Sequence, residues 1–274
     1  MTGKNDSTAI EYFKQASKLA KWNANVWTRL GGLLFDKRKY KEAADELSKV
    51  VVDFPENFPI NLILGLSLSQ INKNTKALPY LKKAIELNPN DLNANLAYAF
   101  ALNQLKKEDD ALVYLKKVIT IDSTNVQALG MMGLIYDSKK MYPECDRAYE
   151  KALAVDSTDP LIQNNYAYSL SERGIQLERA LKLVKNALKK EPKNSSYLDT
   201  IGWVYYQLGK YKKAEKFVAE AIKIDDKNST QFDHLGDIYN KLNKKNEAVK
   251  MWQTAIELDS TNTTILKKIK ASKS

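Results

Sequence analysis

Apolar residues in this chain recur at spacings of three and four, and the whole pattern recurs about every 34 residues. A first segment carries Trp27, Leu30 and Leu34, a spacing that places them on one face of an α-helix. A second segment alternates small and large apolar positions, beginning with Ala43 and Leu47. Each block therefore predicts two amphipathic helices joined by a short turn.

Seven such blocks follow one another, and the fifth contains one inserted residue. The predicted repeats are residues 24–57, 58–91, 92–125, 126–159, 160–194, 195–228 and 229–262. Glycine or alanine in the first helix and alanine in the second allow the two backbones of a block to approach closely. One hairpin cannot bury its own apolar face, so we expect neighbouring hairpins to stack and share a continuous core.

Two further segments flank the seven blocks. Residues 8–21 match a second helix that lacks its partner, and residues 264–272 match a capping helix with an apolar stripe and outward-facing lysines. We expect a single solenoid domain over residues 8–272 and disorder over residues 1–7. The unpaired half-repeat indicates a fragment of a longer protein, and its uncovered face indicates a surface for self-association.

The block pattern resembles the tetratricopeptide repeat, in which W-x2-L-G-x2-Y is followed by A-x3-F-x2-A and P, and it is similar to bacterial members of that family. Trp27, Leu30 and Gly31 open the first match, and seven tandem matches cover nearly the whole chain. The resemblance implies an all-α, right-handed solenoid of helix–turn–helix hairpins. It also implies a scaffold or adaptor that binds other proteins in a groove lined by the first helices, and not an enzyme.

Residues that carry catalytic or metal chemistry are scarce. Cys145 is the single cysteine and His234 the single histidine, so the chain can form no internal disulfide and no Cys/His metal cluster. We interpret Cys145 as an inert buried thiol and His234 as a surface or groove-edge residue. No glycine-rich phosphate loop occurs. We therefore expect no catalytic residue, no metal and no cofactor.

The formal net charge of +10 comes from 43 lysines and arginines against 33 acidic residues. The basic residues are mostly lysines, whereas arginine is the better ligand for phosphate. We interpret the lysines as solvated faces of second helices, so nucleic-acid binding is not expected and is the least favoured function. No apolar run reaches the ~20 residues of a membrane span, and no signal peptide is recognised. We expect a soluble protein, cytoplasmic or, if the chain is a fragment, periplasmic.

The predicted groove is a stripe of the first helices that lies beside their core-facing residues. We expect it to hold an extended or helical peptide segment with apolar side chains, and a basic partner residue to face its three aspartates. The groove residues predicted from the sequence are Phe35, Leu62, Leu66, Leu96, Phe100, Asn103, Leu134, Asn164, Tyr168, Asp199, Trp203, Tyr206, Asp233 and Asp237. The main alternative is a structural assembly platform that acts by self-association.

Overall fold

The computed structural model describes residues 2–273, with the side chains of residues 8–272, and this part of the chain is entirely α-helical. The helices are α1 Thr2–Leu19, α2 Ala24–Asp36, α3 Tyr40–Ser48, α4 Phe58–Gln70, α5 Asn74–Leu87, α6 Leu92–Gln104, α7 Glu108–Ile121, α8 Val126–Ser138, α9 Tyr142–Val155, α10 Pro160–Glu172, α11 Leu177–Lys190, α12 Ser195–Gln207, α13 Tyr211–Ile224, α14 Ser229–Lys241, α15 Lys245–Leu258 and α16 Thr263–Lys273. Sequential helices pack as hairpins. The predicted all-α array of hairpins is confirmed.

The helices group into two compact units, one ending at Lys139 and one beginning at Lys140. We call α2, α4, α6, α8, α10, α12 and α14 the first helices, and the helix after each the second helix. In the first unit α2 contacts α4, α4 contacts α6, and α6 contacts α8; in the second unit α10 contacts α12, and α12 contacts α14. First helices therefore form a row within each unit.

The expectations for the chain's ends and domain extent are only partly addressed by the described residues. The single solenoid domain over residues 8–272 stays a prediction. The disorder expected for residues 1–7 concerns side chains that lie outside the described part of the chain, where α1 begins at Thr2.

Close approach of the two helices in a hairpin depends on a glycine in the first helix. A Cβ atom built on Gly31 would lie 2.7 Å from Cδ1 of Leu47, and one built on Gly65 would lie 2.6 Å from Cγ of Leu81. Both leucines are completely buried. The glycines therefore leave room for the large side chains of the second helices, as the repeat pattern predicts.

Side-chain caps and left-handed turns fix where the helices begin and end. Asp91 accepts a 2.8 Å hydrogen bond from the backbone N–H of Ala94 and so caps α6, while Asp159 caps α10 in the same way. Asn72 and Gly209, which were predicted from the sequence to occupy the turns inside hairpins, have φ values of 58° and 71°. These local signals give each first helix a defined start and stop.

Candidate functional site

In the first unit, one column of residues runs along the open side of the first helices. It consists of Gly32, Leu66, Phe100 and Leu134, one from each of α2, α4, α6 and α8, at intervals of 34 residues. Phe100 is 37% exposed and Leu134 is 47% exposed, although alanines on either side of Phe100 are fully buried. We call these four residues the apolar column. Two large apolar side chains of this unit thus face solvent in the same register.

The other predicted groove residues of the first unit flank this column. Leu62 and Leu66 pack partly against the core, and the ring of Phe35 packs at 5.1 Å against that of Tyr40. All of the following are half-buried: Phe35, Leu62, Leu66, Leu96 and Asn103. The structure therefore brings the predicted residues of α2, α4, α6 and α8 to one side of the unit, where they combine core packing with partial exposure.

In the second unit, the predicted aromatic residues form a stack. The ring of Trp203 lies 4.5 Å from Tyr206 at an interplanar angle of 5°, and 4.1 Å from His234 at 14°. Tyr168 contributes a tilted ring 6.3 Å from His234. Trp203 is only 8% exposed, because both of its faces are covered. The outer surface of the stack is therefore the half-buried Tyr206, and Trp203 mainly joins α12 to α14.

His234, which we expected at the surface or groove edge, is buried, and this corrects that interpretation. It is 5% exposed, and its Nδ1 lies 3.0 Å from each carboxylate oxygen of Asp199. Burial alone would lower the pKa of His234, but the charge and hydrogen bond of Asp199 outweigh it, with further help from Glu172 and Asp233, so the pKa is raised. The sequence alone did not reveal this pair.

The other two predicted groove aspartates share one lysine of α16. Nζ of Lys268 lies 2.7 Å from Oδ1 of Asp233 and 2.7 Å from Oδ2 of Asp237, and Asp237 also accepts a 3.1 Å bond from Nε1 of Trp252. Burial raises the pKa of Asp237 although Lys268 opposes the shift. Burial opposes but does not prevent a raised pKa for Lys268, because the two carboxylates stabilise its charge.

These contacts correct two expectations about charge. Lys268 was assigned to the solvated side of the capping helix, yet only 26% of its side chain is exposed. A partner's basic residue was expected opposite Asp199, Asp233 and Asp237, but His234 and Lys268 of the chain itself stand there. The spacing is regular, since each cation contacts an acid 35 residues earlier. The acidic end of the stripe is thus largely neutralised internally.

The remaining predicted residues of the second unit are partly enclosed. Asn164 is 6% exposed; its Nδ2 donates to Asn165 at 3.3 Å, while its Oδ1 has no hydrogen-bond partner among the described residues. Burial, followed by the nearby charge of Asp237, raises the pKa of Tyr206 to about 12, so its hydroxyl stays protonated near neutral pH. Tyr206 therefore offers a hydroxyl group and an apolar ring face together.

Residues 8–272 contain no group of three or more Cys, His, Asp or Glu side chains arranged to hold a metal ion. Among the described helices, none combines the length and apolar character that crossing a membrane requires.

The row of helical hairpins, with a close-packing glycine or alanine in each first helix, defines an α-helical repeat protein. Family models described as tetratricopeptide repeat match residues 2–121, 126–159, 195–228 and 233–262. The chain belongs to the tetratricopeptide repeat family. No curated protein sequence matches it.

Solved structures share the fold at low sequence identity. A chain of the APC/C hetero-tetramer Cut9–Hcn1 is 14% identical with a TM-score of 0.77, over 97% of this chain and 52% of that chain. A tetratricopeptide repeat protein from Parabacteroides merdae is 16% identical with a TM-score of 0.71, over 90% and 98%. The human IFIT1 dimer solved with m7Gppp-AAAA is 16% identical with a TM-score of 0.68, over 97% and 69%. The chain spans about half the length of the Cut9–Hcn1 chain that it matches.

Proposed function

We propose that the chain is a non-enzymatic scaffold that binds a peptide segment of another protein along the open side of its first helices. Tetratricopeptide repeat proteins are generally protein-interaction scaffolds and typically lack catalysis. The observation that carries the proposal is the exposure of Phe100 and Leu134 in one register of the row α2–α8. Large apolar side chains in a shared register are suited to gripping a partner's apolar side chains.

The exposed part of Phe100 is large enough to matter for binding. A phenylalanine buries about 200 Å² when fully enclosed, so its 37% exposure leaves on the order of 75 Å². Covering that area contributes about 2 kcal/mol. Leu134, which is 47% exposed, adds a contribution of similar size. Two such contacts separate specific retention of a segment from no measurable binding.

The polar residues of the second unit support a binding role over an enzymatic one. His234 and Asp199 form the kind of pair that could act as an acid–base catalyst, but the imidazole is buried and stacked on Trp203. A catalytic base has to reach a proton of the substrate within hydrogen-bond distance. His234 instead links α12 to α14, so we assign it to the structure of the scaffold.

Nucleic-acid binding is a weaker proposal, even though the similar human IFIT1 was solved with m7Gppp-AAAA. None of the predicted groove residues is a lysine or an arginine, whereas phosphate binding depends on such cations. His234 and Lys268, the two in-chain cations on this side, are already paired with aspartates. The stripe is therefore better suited to an apolar peptide than to a polyanion.

Self-association is a second candidate function, and apolar exposure around α1 favours it. Tyr12 is 66% exposed, Leu19 is 87% exposed and Trp22 is 79% exposed. A wild-type mass that rises with concentration in multi-angle light scattering, and becomes monomeric with Leu19→Ser plus Trp22→Ser, would support this function. A constant monomeric mass would exclude it.

The binding proposal is tested by selecting twelve-residue peptides from a random display library on the purified chain. We expect Phe100→Ala plus Leu134→Ala to weaken the selected peptides by at least tenfold, because each substitution removes about 1–2 kcal/mol of apolar contact. Val113→Ala is the matched control, since Val113 is 63% exposed on a second helix. Equal losses in the control and the double variant, or no change in either, would contradict the proposal.

A further inference from the structure

Gly31 and Gly32 are neighbours in α2, but only one of them is required by the packing. A Cβ on Gly31 would collide with the side chain of Leu47. A Cβ on Gly32 would meet no atom of the described chain within 4 Å. The hairpin α2–α3 therefore explains the first glycine and leaves the second unexplained.

Gly32 is also not required by backbone conformation. It lies in the interior of α2, and the glycines with positive φ are Gly174 and Gly209. Glycine in a helix interior is less favourable than alanine, because it loses more conformational freedom on folding. An exposed helical glycine that neither packing nor conformation requires keeps the helix backbone open to close approach from outside.

The position of Gly32 places this opening at one end of the apolar column. Gly32 occupies in α2 the register that Leu66, Phe100 and Leu134 occupy in α4, α6 and α8, and α2 contacts α4 directly. A segment lying along Leu134, Phe100 and Leu66 would next reach Gly32. There it would meet bare helix backbone instead of a side chain.

The spacing and openness of the column favour an extended occupant. Packed helices lie roughly 8–10 Å apart, and a polyproline II segment advances about 9.3 Å in three residues, which returns to the same face. An α-helical occupant would keep its backbone at a distance, because its side chains surround it to a diameter of roughly 10–12 Å. Only an extended chain can place its own backbone on Gly32.

The charges of the first unit indicate that this occupant is uncharged. The apolar column and the half-buried residues beside it contain no charged side chain. A charge on the occupant would lose water there without gaining a counterion. Asn103, one turn after Phe100, has no hydrogen bond to the described residues and offers an amide group to a peptide backbone.

We propose that Gly32 is the contact point for the backbone of an extended, uncharged peptide segment whose apolar side chains, at every third residue, lie on Leu66, Phe100 and Leu134. This inference rests on the proposed function. It adds the conformation and charge of the bound segment and a residue whose role is to have no side chain.

The experiment measures binding of a fluorescein-labelled, amidated fifteen-residue peptide with leucine at every third position and serine or alanine between. We expect Gly32→Leu to weaken its binding at least tenfold in fluorescence anisotropy, because the new side chain occupies the space of the peptide backbone. Arg29→Leu is the matched control, since it adds the same side chain at an exposed site of α2, and should change affinity less than twofold. Gly32→Ala should weaken binding about threefold while raising the melting temperature, so a folding defect is distinguished from a lost contact.

Two comparisons decide the outcome. A peptide of the same composition with its leucines adjacent, and one with lysine or glutamate in place of the serines, should each bind at least tenfold more weakly. Equal binding of these peptides, failure of the wild-type chain to bind the leucine-every-third peptide, or wild-type affinity in Gly32→Leu would overturn the inference. The proposed function survives those results if display-selected peptides still depend on Phe100 and Leu134, and fails separately if they do not.

Discussion

Replacing Gly65 by alanine tests whether the glycines of the first helices are required by packing. The added Cβ would lie 2.6 Å from both Cγ and Cδ2 of Leu81, and 3.2 Å from the backbone nitrogen of that residue. Leu81 is completely buried and cannot swing into solvent. Because a backbone atom is also close, α5 itself has to move away from α4.

The size of the effect follows from two opposing contributions. Alanine gains up to about 1 kcal/mol over glycine within a helix, while overpacking a dense core costs about 1–3 kcal/mol. Ala99 and Ala167 occupy the same register in α6 and α10, so a hairpin can accommodate a methyl group once its helices have shifted. We therefore expect Gly65→Ala to lower the free energy of unfolding by about 1–2 kcal/mol without loss of the fold.

Gly32→Ala is the matched control, because its new methyl group enters open space. It should raise the free energy of unfolding by up to about 1 kcal/mol, so the two variants should differ by about 2–3 kcal/mol. In thermal unfolding followed by circular dichroism, this gap corresponds to a melting-temperature difference on the order of 5–10 °C. If Gly65→Ala is as stable as Gly32→Ala, the close-packing explanation of the glycines is wrong.

Three further substitutions test the polar contacts. With a pKa raised above its ordinary value of 6.5, His234 contributes most stability below about pH 6.5 and loses it as pH rises through the raised pKa; the melting-temperature gap between wild type and Asp199→Asn should therefore shrink with rising pH, and a constant gap would contradict this. Lys268→Met leaves two mostly buried carboxylates unpaired and should cost about 1–3 kcal/mol, seen as faster hydrogen exchange in α16; unchanged exchange would contradict it. Asp91→Ala removes the cap of α6 and should cost about 1 kcal/mol in urea unfolding, whereas an unchanged midpoint would show that the cap contributes nothing.

The helical hairpins were predictable because their signals are local. The spacing of Trp27, Leu30 and Leu34 fixes one face of α2, and Gly31 marks the contact with α3. Each of these signals lies within a single block of 34 residues, and repetition confirms it independently. The exposed register of Phe100 and Leu134 also follows from this spacing, because residues one step from the core stripe face outward.

The polar contacts were not predictable, because each joins residues about 35 positions apart on neighbouring first helices. The pairing of His234 with Asp199 depends on how α14 lies against α12, which helical periodicity within one block does not determine. Lys268 similarly follows the pattern of a solvated helix, but its long side chain reaches back to Asp233 and Asp237. Trp203 was expected in the groove, and its burial results from the ring of His234 on one of its faces.

The stack of Tyr206, Trp203 and His234 has a consequence for how the array loses structure. Repeat proteins fray from their ends, one hairpin at a time, when neighbouring hairpins are weakly coupled. Here a shared ring layer and a buried ion pair join α12 to α14. Fraying that starts at α16 should therefore halt at α15, and α14 should open together with α12 for as long as the imidazole keeps its proton.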